Sequence, residues 1–139
     1  MQLPWSATLP VVQFRVARPT HQLAKIIEFY RDGIGLQQVG SFTDHDGYDG
    51  VMFGLPGVDY HLEFTQHVDG VPCPPPSKDN LLVFYFSDEI AGNAIAAKLA
   101  DMGYSPVEPE NPYWNRNGIT IEDPDGWRIV LQNSSGLRV

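Results

Sequence analysis

The chain has 139 residues, 42% hydrophobic and 19% charged, which suits one compact folded domain with a real core. Its 17 acidic residues against 9 basic ones leave a formal net charge of −8, which sets most of the surface against phosphate backbones and anionic membranes and excludes nucleic acid as an expected partner. A single cysteine, Cys73, allows no internal disulfide, no apolar run approaches the ~18 residues of a bilayer span, and the opening "MQLPWSATLP" has the features of no signal peptide, so the expectation is a cytoplasmic protein with no membrane segment.

In chain order, the apolar stretch "VVQFRVA" (11–17) reads as a strand. Thr20 then offers an N-cap, and Leu23, Ile26, Ile27 and Tyr30 follow at helical spacing until Gly33 and Gly35. Strands are expected at about 36–42, 48–54 and 60–66, separated by "DHDG" and "LPG" turns. The proline-rich "DGVPCPPPSKD" excludes regular structure and reads as a connector. Beyond it, "DNLLVFY" is a strand, and Asp88 caps a helix carried by Ala91, Ala94, Ile95, Leu99 and Met102 and ended by Gly103. Further strands are expected at about 105–108, 118–122 and 127–132.

The two halves repeat at an offset of 68 residues: 11–17 overlays 79–85, Gly35-Leu36 overlays Gly103-Tyr104, Gly50 overlays Gly118 and Pro56 overlays Pro124. After a single-residue gap, "YHLEFTQ" (60–66) overlays "WRIVLQN" (127–133). The fold expected is therefore α+β: one domain over 1–139 made of two βαβββ modules in tandem, about 10–67 and 79–133, joined by a connector over 68–78. One helix lies outside each module. The two sheets form a curved, partly closed mixed sheet whose free faces enclose a central cavity.

The paired modules, the "FYRDGIGL" helix exit and the "DPDGWRIVLQN" turn and strand together resemble the vicinal oxygen chelate superfamily, over about Val11 to Asn133. That superfamily includes glyoxalase I, extradiol dioxygenases, thiol transferases acting on fosfomycin and bleomycin resistance proteins. It hosts several chemistries and some pure binders, so the resemblance speaks for the fold more than for the activity. In its metal-dependent members the first and last strands of each module supply two ligands each. The resemblance places those positions on Gln13 and Glu63 in the first module and, through the repeat, on Leu81 and Val130 in the second. Neither Leu81 nor Val130 can bind a metal, whereas a catalytic divalent centre wants about three protein ligands and an open position.

Period-two alternation from Glu63 puts His61 and Thr65 on its side of the strand, with the α-carbons of His61 and Glu63 about 6.5–7 Å apart. His67, four residues on and about 13 Å away, is too distant to join them. His61 also reads as an ordinary hydrogen-bonded strand histidine, while Glu63, facing a concave and partly apolar interior, requires a cationic or donor partner to stay ionised. Arg15 and Arg128 are such partners on neighbouring strands, either as structural ion pairs or as handles for an anionic ligand. Tyr85 gives the fifth strand one hydroxyl, and Trp114, in the polar loop "EPENPYWNRNG", either docks on the core or covers the cavity mouth. "DPDG" (123–126) is a turn device, and Cys73, with only Lys78 as a basic neighbour, is expected to be inert.

The reading that follows is a metal-free small-molecule binder of the resistance-protein type, with no cofactor, forming a homodimer. Its ligand would be held by Gln13, Arg15, His61, Glu63, Tyr85, Trp114 and Arg128. The alternative is a glyoxalase-like lyase or dioxygenase-like oxidoreductase with a divalent metal on Gln13, Glu63 and His61. A metal-free enzyme with Glu63 as general base is a third course.

Overall fold

The structure, a computed structural model, describes residues 8–74 and 76–136. Its elements follow one another as β1 (Phe14–Pro19), helix α1 (Leu23–Ile27) continuing as a π-helical stretch (Glu28–Ile34), β2 (Gln37–His45), β3 (Tyr48–Leu55), β4 (Val58–His67), β5 (Leu81–Phe86), α2 (Glu89–Asp101), β6 (Pro106–Val107), a short 3-10 helix (Pro112–Asn115), β7 (Gly118–Glu122) and β8 (Arg128–Asn133). They build two four-stranded mixed sheets of the same topology, ordered β1-β4-β3-β2 and β5-β8-β7-β6, as the repeat requires. The chain divides into two compact units, one holding the first sheet with Leu36–Pro72, the other holding the second sheet together with Ala24–Gly35.

In the first unit, β1 runs parallel to β4 and the remaining pairs are antiparallel. β1 starts at Phe14, three residues later than the sequence suggests, because the Val11 amide is turned back onto the Leu9 carbonyl at 2.8 Å instead of entering the ladder. One face of the sheet is core: Val51, Phe53, Leu62 and Phe64 are buried, and the Phe53 and Phe64 rings lie 6.1 Å apart. The Arg18 guanidinium sits 5.1 Å above the Phe64 ring at the edge of that face.

In the second unit, β5 is parallel to β8, and α2 packs against both. Asp88 caps α2 as expected, accepting from the Ile90 amide at 2.9 Å. Leu99 and Ala96 are buried, as are Ile121, Ile129 and Leu131 of the sheet. The opposite face is closed as well, since Val130, Thr120, Arg128 and Gln132 are all buried.

The helix expected after Thr20 is α-helical only to Ile27 and then widens to π geometry. Ile26, Phe29, Tyr30, Gly33 and Ile34 are all buried, the spacing of one apolar helix face. Gly35 ends it at φ +95°, its amide reaching the Tyr30 carbonyl, a conformation that favours glycine. The buried Tyr30 hydroxyl donates to Asp123 Oδ2 at 2.7 Å, while Asp123 Oδ1 accepts from the Asp125 and Trp127 amides at 2.9 Å each. The "DPDG" turn is thus built around a buried carboxylate.

Candidate functional site

Strand register decides which side chains share the face opposite the first unit's core. In the parallel pair Arg15 lies beside His61 and Ala17 beside Glu63; across the antiparallel pair Gly54 lies beside His61, Met52 beside Glu63 and Gly50 beside Thr65. Paired residues point to the same face, so one surface carries Arg15, His61, Glu63 and Thr65 among small and apolar neighbours.

Its polar centre is a chain of three groups. Arg15 Nη1 stands 3.5 Å from Glu63 Oε1, and Arg15 Nη2 donates to Gln13 Oε1 at 3.4 Å. Gln13 lies just ahead of β1 and is exposed, whereas the side chains of Arg15 and Glu63 are 38% and 15% exposed. The carboxylate is therefore mostly covered and its cation is within reach of solvent. His61 Nδ1 is buried and has no hydrogen-bond partner among the described residues. An imidazole nitrogen in that state is a site for a further donor or acceptor.

The floor around this centre is shaped by glycine. A Cβ on Gly50 would run into the Phe42 ring, and one on Gly40 would come within 2.8 Å of Met52 Cε. Phe42 and Met52 can therefore lie over backbone, Met52 beside Glu63 and Phe42 across Gly50 from Thr65. His67 stacks edge-on against Tyr48 with ring centroids 4.6 Å apart, and its Nδ1 accepts from the Asp69 amide at 3.1 Å, so it serves the end of the strand. Met52 and Phe42 escape a reading by local motif; only the pairing of β3 with β4 and with β2 brings them there.

The other sequence-predicted residues belong to the second unit. Arg128 is 5% exposed; its Nε contacts Glu122 Oε2 at 3.1 Å and its Nη1 donates to the Glu108 carbonyl at 2.8 Å. It ties the 108–118 loop to the sheet. Tyr85 is half exposed, and Trp114 is half-buried in the 3-10 helix with Tyr113 edge-on at 5.0 Å. Tyr85 pairs with Gln132 and Leu81 with Arg128, so Tyr85 and Arg128 are four residues apart along β8, about 13 Å. Within the first unit the structure brings together Gln13, Arg15, His61 and Glu63; within the second, Tyr85 and Arg128 do not meet. Cys73 is half-buried, and its thiol is pushed up by burial and then by Asp125.

Gln13, Glu63 and His61 can be tested as a metal set on this geometry. Both oxygen donors, Gln13 Oε1 and Glu63 Oε1, already face one guanidinium. Like charges ~4 Å apart cost about 4 kcal/mol per pair of unit charges at an effective dielectric of ~20, and a divalent ion doubles that. Among the described residues no three His, Cys, Asp or Glu side chains group to hold a metal ion. With Arg15 placed as it is, an ion held by Gln13 and Glu63 would meet the repulsion of that guanidinium. No helix among the described residues is long and apolar enough to cross a membrane.

Comparison with known proteins agrees with this architecture. Residues 14–65 match the YycE-like N-terminal domain and residues 79–133 the YycE-like C-terminal domain. The uncharacterized protein YycE of Bacillus subtilis (strain 168) is 56% identical over 131 residues, covering 94% of each chain. The crystal structure of a Bacillus subtilis YycE protein of unknown function, assigned provisionally to the glyoxalase/fosfomycin resistance proteins, is 58% identical with a TM-score of 0.86, covering 91% of this chain and 92% of that one. The fold is shared with the trypanothione-dependent glyoxalase I of Leishmania major, at TM-score 0.67, 17% identity and 86% and 84% coverage. It is also shared with TnmS3, an antibiotic binding protein from Streptomyces sp. CB03234, at TM-score 0.60, 24% identity and 88% and 93% coverage. Across these likenesses the architecture is that of the glyoxalase, fosfomycin resistance, bleomycin resistance and dioxygenase-domain proteins, and the chain itself belongs to the YycE-like family.

Proposed function

We propose that this protein binds a small organic molecule without a metal, on the face of the first sheet around Glu63. The observation that supports the reading is the Arg15 to Glu63 contact at 3.5 Å, which gives the carboxylate a cationic partner from the chain itself. A ligand with a flat apolar part would rest on Phe42 and Met52, and its polar end would meet Glu63 and Arg15. That one structural neighbour is an antibiotic binding protein supports holding over turnover. Within the second unit, Tyr85 and Trp114, half exposed and half-buried, are proposed as ligand contacts on their own account.

A reducing cytoplasm suits the lone Cys73. A homodimer is supported by the exposed apolar residues Val12, Phe14 and Val58 near the edge strand β1, since an edge with apolar flanks is a template for a second copy.

The test is metal analysis of tag-free protein together with thermal-shift screening against planar amphipathic compounds, on the wild type and on Glu63→Gln. The partly exposed ion pair contributes at most ~1 kcal/mol, so the variant remains folded. The expected outcome is no stoichiometric metal and a ligand-dependent rise in melting temperature that Glu63→Gln abolishes. Stoichiometric zinc, nickel, manganese or iron that disappears in Glu63→Gln would overturn the reading.

A further inference from the structure

A concave site lies within the second unit. It is a cleft of about 190 Å³ where the first turns of α2 meet the ends of β5 and β8 and the loop entering β7. Its polar wall is almost entirely carboxamide: Asn93, Asn115, Asn117, Gln132 and Asn133, with Glu89 as the one ionisable side chain. Phe86, Ile119 and Leu131 supply an apolar floor, and a Cβ added at Gly92 would come within 3.8 Å of the Phe86 ring.

The wall is held in place before any ligand arrives. Asn117, at φ +61°, presents its carbonyl to the Asn133 amide at 2.7 Å. Gln132 Nε2 donates to the Arg116 carbonyl at 2.8 Å, which fixes the amide and leaves its Oε1 buried without a donor among the described residues. Asn115 Nδ2 donates to Glu108 Oε2 at 3.2 Å, leaving its own Oδ1 uncommitted. At Gly118 a Cβ would strike both the Trp114 carbonyl and Gln132 Oε1, so the close approach of that loop to β8 depends on glycine.

The chemistry of these groups selects among ligand classes. A carboxamide offers a donor and an acceptor side by side, and so does a hydroxyl, so adjacent hydroxyls can be met in pairs by such a wall. No Lys, Arg or His lines the cleft, and Glu89 with the net charge of −8 opposes an anion. An organic cation would use Glu89 and the oxygens of Gln132 and Asn115, whose NH₂ groups are already engaged, but would leave the NH₂ groups of Asn93, Asn117 and Asn133 without ligand acceptors. An apolar floor beneath a hydrogen-bonding wall suits a ring with C–H groups on its face and hydroxyls at its rim. The volume is below the 300–1,000 Å³ usual for drug-sized ligands and fits a single small ring.

We infer that this cleft binds a neutral polyhydroxylated ring of monosaccharide size, independently of whatever occupies the Glu63 face. The test is a titration of the ¹⁵N-labelled full chain with glucose, with inorganic phosphate and butylamine as controls, on the wild type and on Asn93→Ala and Glu89→Gln. Both substitutions are at exposed helix positions and leave the fold intact. Saturable shifts at Gly118, Ile119, Asn133 and the Asn93 and Asn115 side-chain amides, weakened at least several-fold in both variants and absent with the controls, are expected. Absence of glucose shifts at those residues, equal shifts in the variants, or stronger effects from phosphate or butylamine would each overturn the assignment.

Discussion

At the residue scale, the most consequential polar contact in the core is Tyr30 to Asp123. The hydroxyl donates at 2.7 Å to a carboxylate that also organises the turn between β7 and β8, and both residues are buried. Tyr30→Phe keeps the ring and removes only that donor. Hydrogen bonds to charged groups are worth about 1.5–3 kcal/mol, so the variant should lose about that much, read as a lower urea midpoint with an unchanged slope. Glu63 was legible in the sequence because period-two alternation on a strand survives without knowledge of any partner. What stands next to it was not. Ala17, rather than Gln13, lies beside Glu63 through the register of β1 on β4, which no local pattern encodes.

At the element scale, glycines decide how closely backbones approach, and two of them separate by what they face. An added methyl at Gly50 meets the far end of the Phe42 side chain, which is half-buried and can swing aside; one at Gly118 meets the Trp114 backbone carbonyl, which cannot without displacing the 3-10 helix. Gly118→Ala should therefore cost about 1–3 kcal/mol and Gly50→Ala less, a ranking that denaturant melts of the two variants will check. Gly50 and Gly118 were already visible as repeat equivalents, as were the two helices and the βαβββ succession of each half, whereas the order of strands within the sheets was not. The π widening of residues 28–34 was not visible, because an added residue per turn answers to tertiary demands such as the bond from Tyr30 to Asp123, 93 residues away. The 3-10 helix in the 108–118 loop also went unforeseen, although Asn111 ahead of Pro112 was its signal: Asn111 Oδ1 accepts from the Tyr113 amide at 3.0 Å.

At the scale of the whole molecule, three groups titrate in the same direction. Burial pushes up Tyr60, with Arg18 opposing; burial pushes up Tyr104, with Glu28 and Asp123 adding to it; Cys73 is raised by burial and then Asp125. A group raised in the folded state contributes stability that is complete below its unfolded value and lost as pH rises through the folded one. Stability should thus hold through neutral pH and fall once the pH passes the ordinary cysteine and tyrosine values of 9.0 and 10.0, observable as a declining urea midpoint in alkaline buffer. The grouping of Ala24–Gly35 with the second sheet has a separate consequence. An added Cβ on Gly33 would collide with Leu99, so the π-helical stretch is seated closely on α2. Severing the chain in the proline connector would then leave the C-terminal fragment without one of its own walls and Leu99 uncovered. The tandem repeat, which in sequence looks like two separable copies, is laced together by a borrowed helix, and its halves would have to be supplied as complementing fragments rather than as independent miniature proteins.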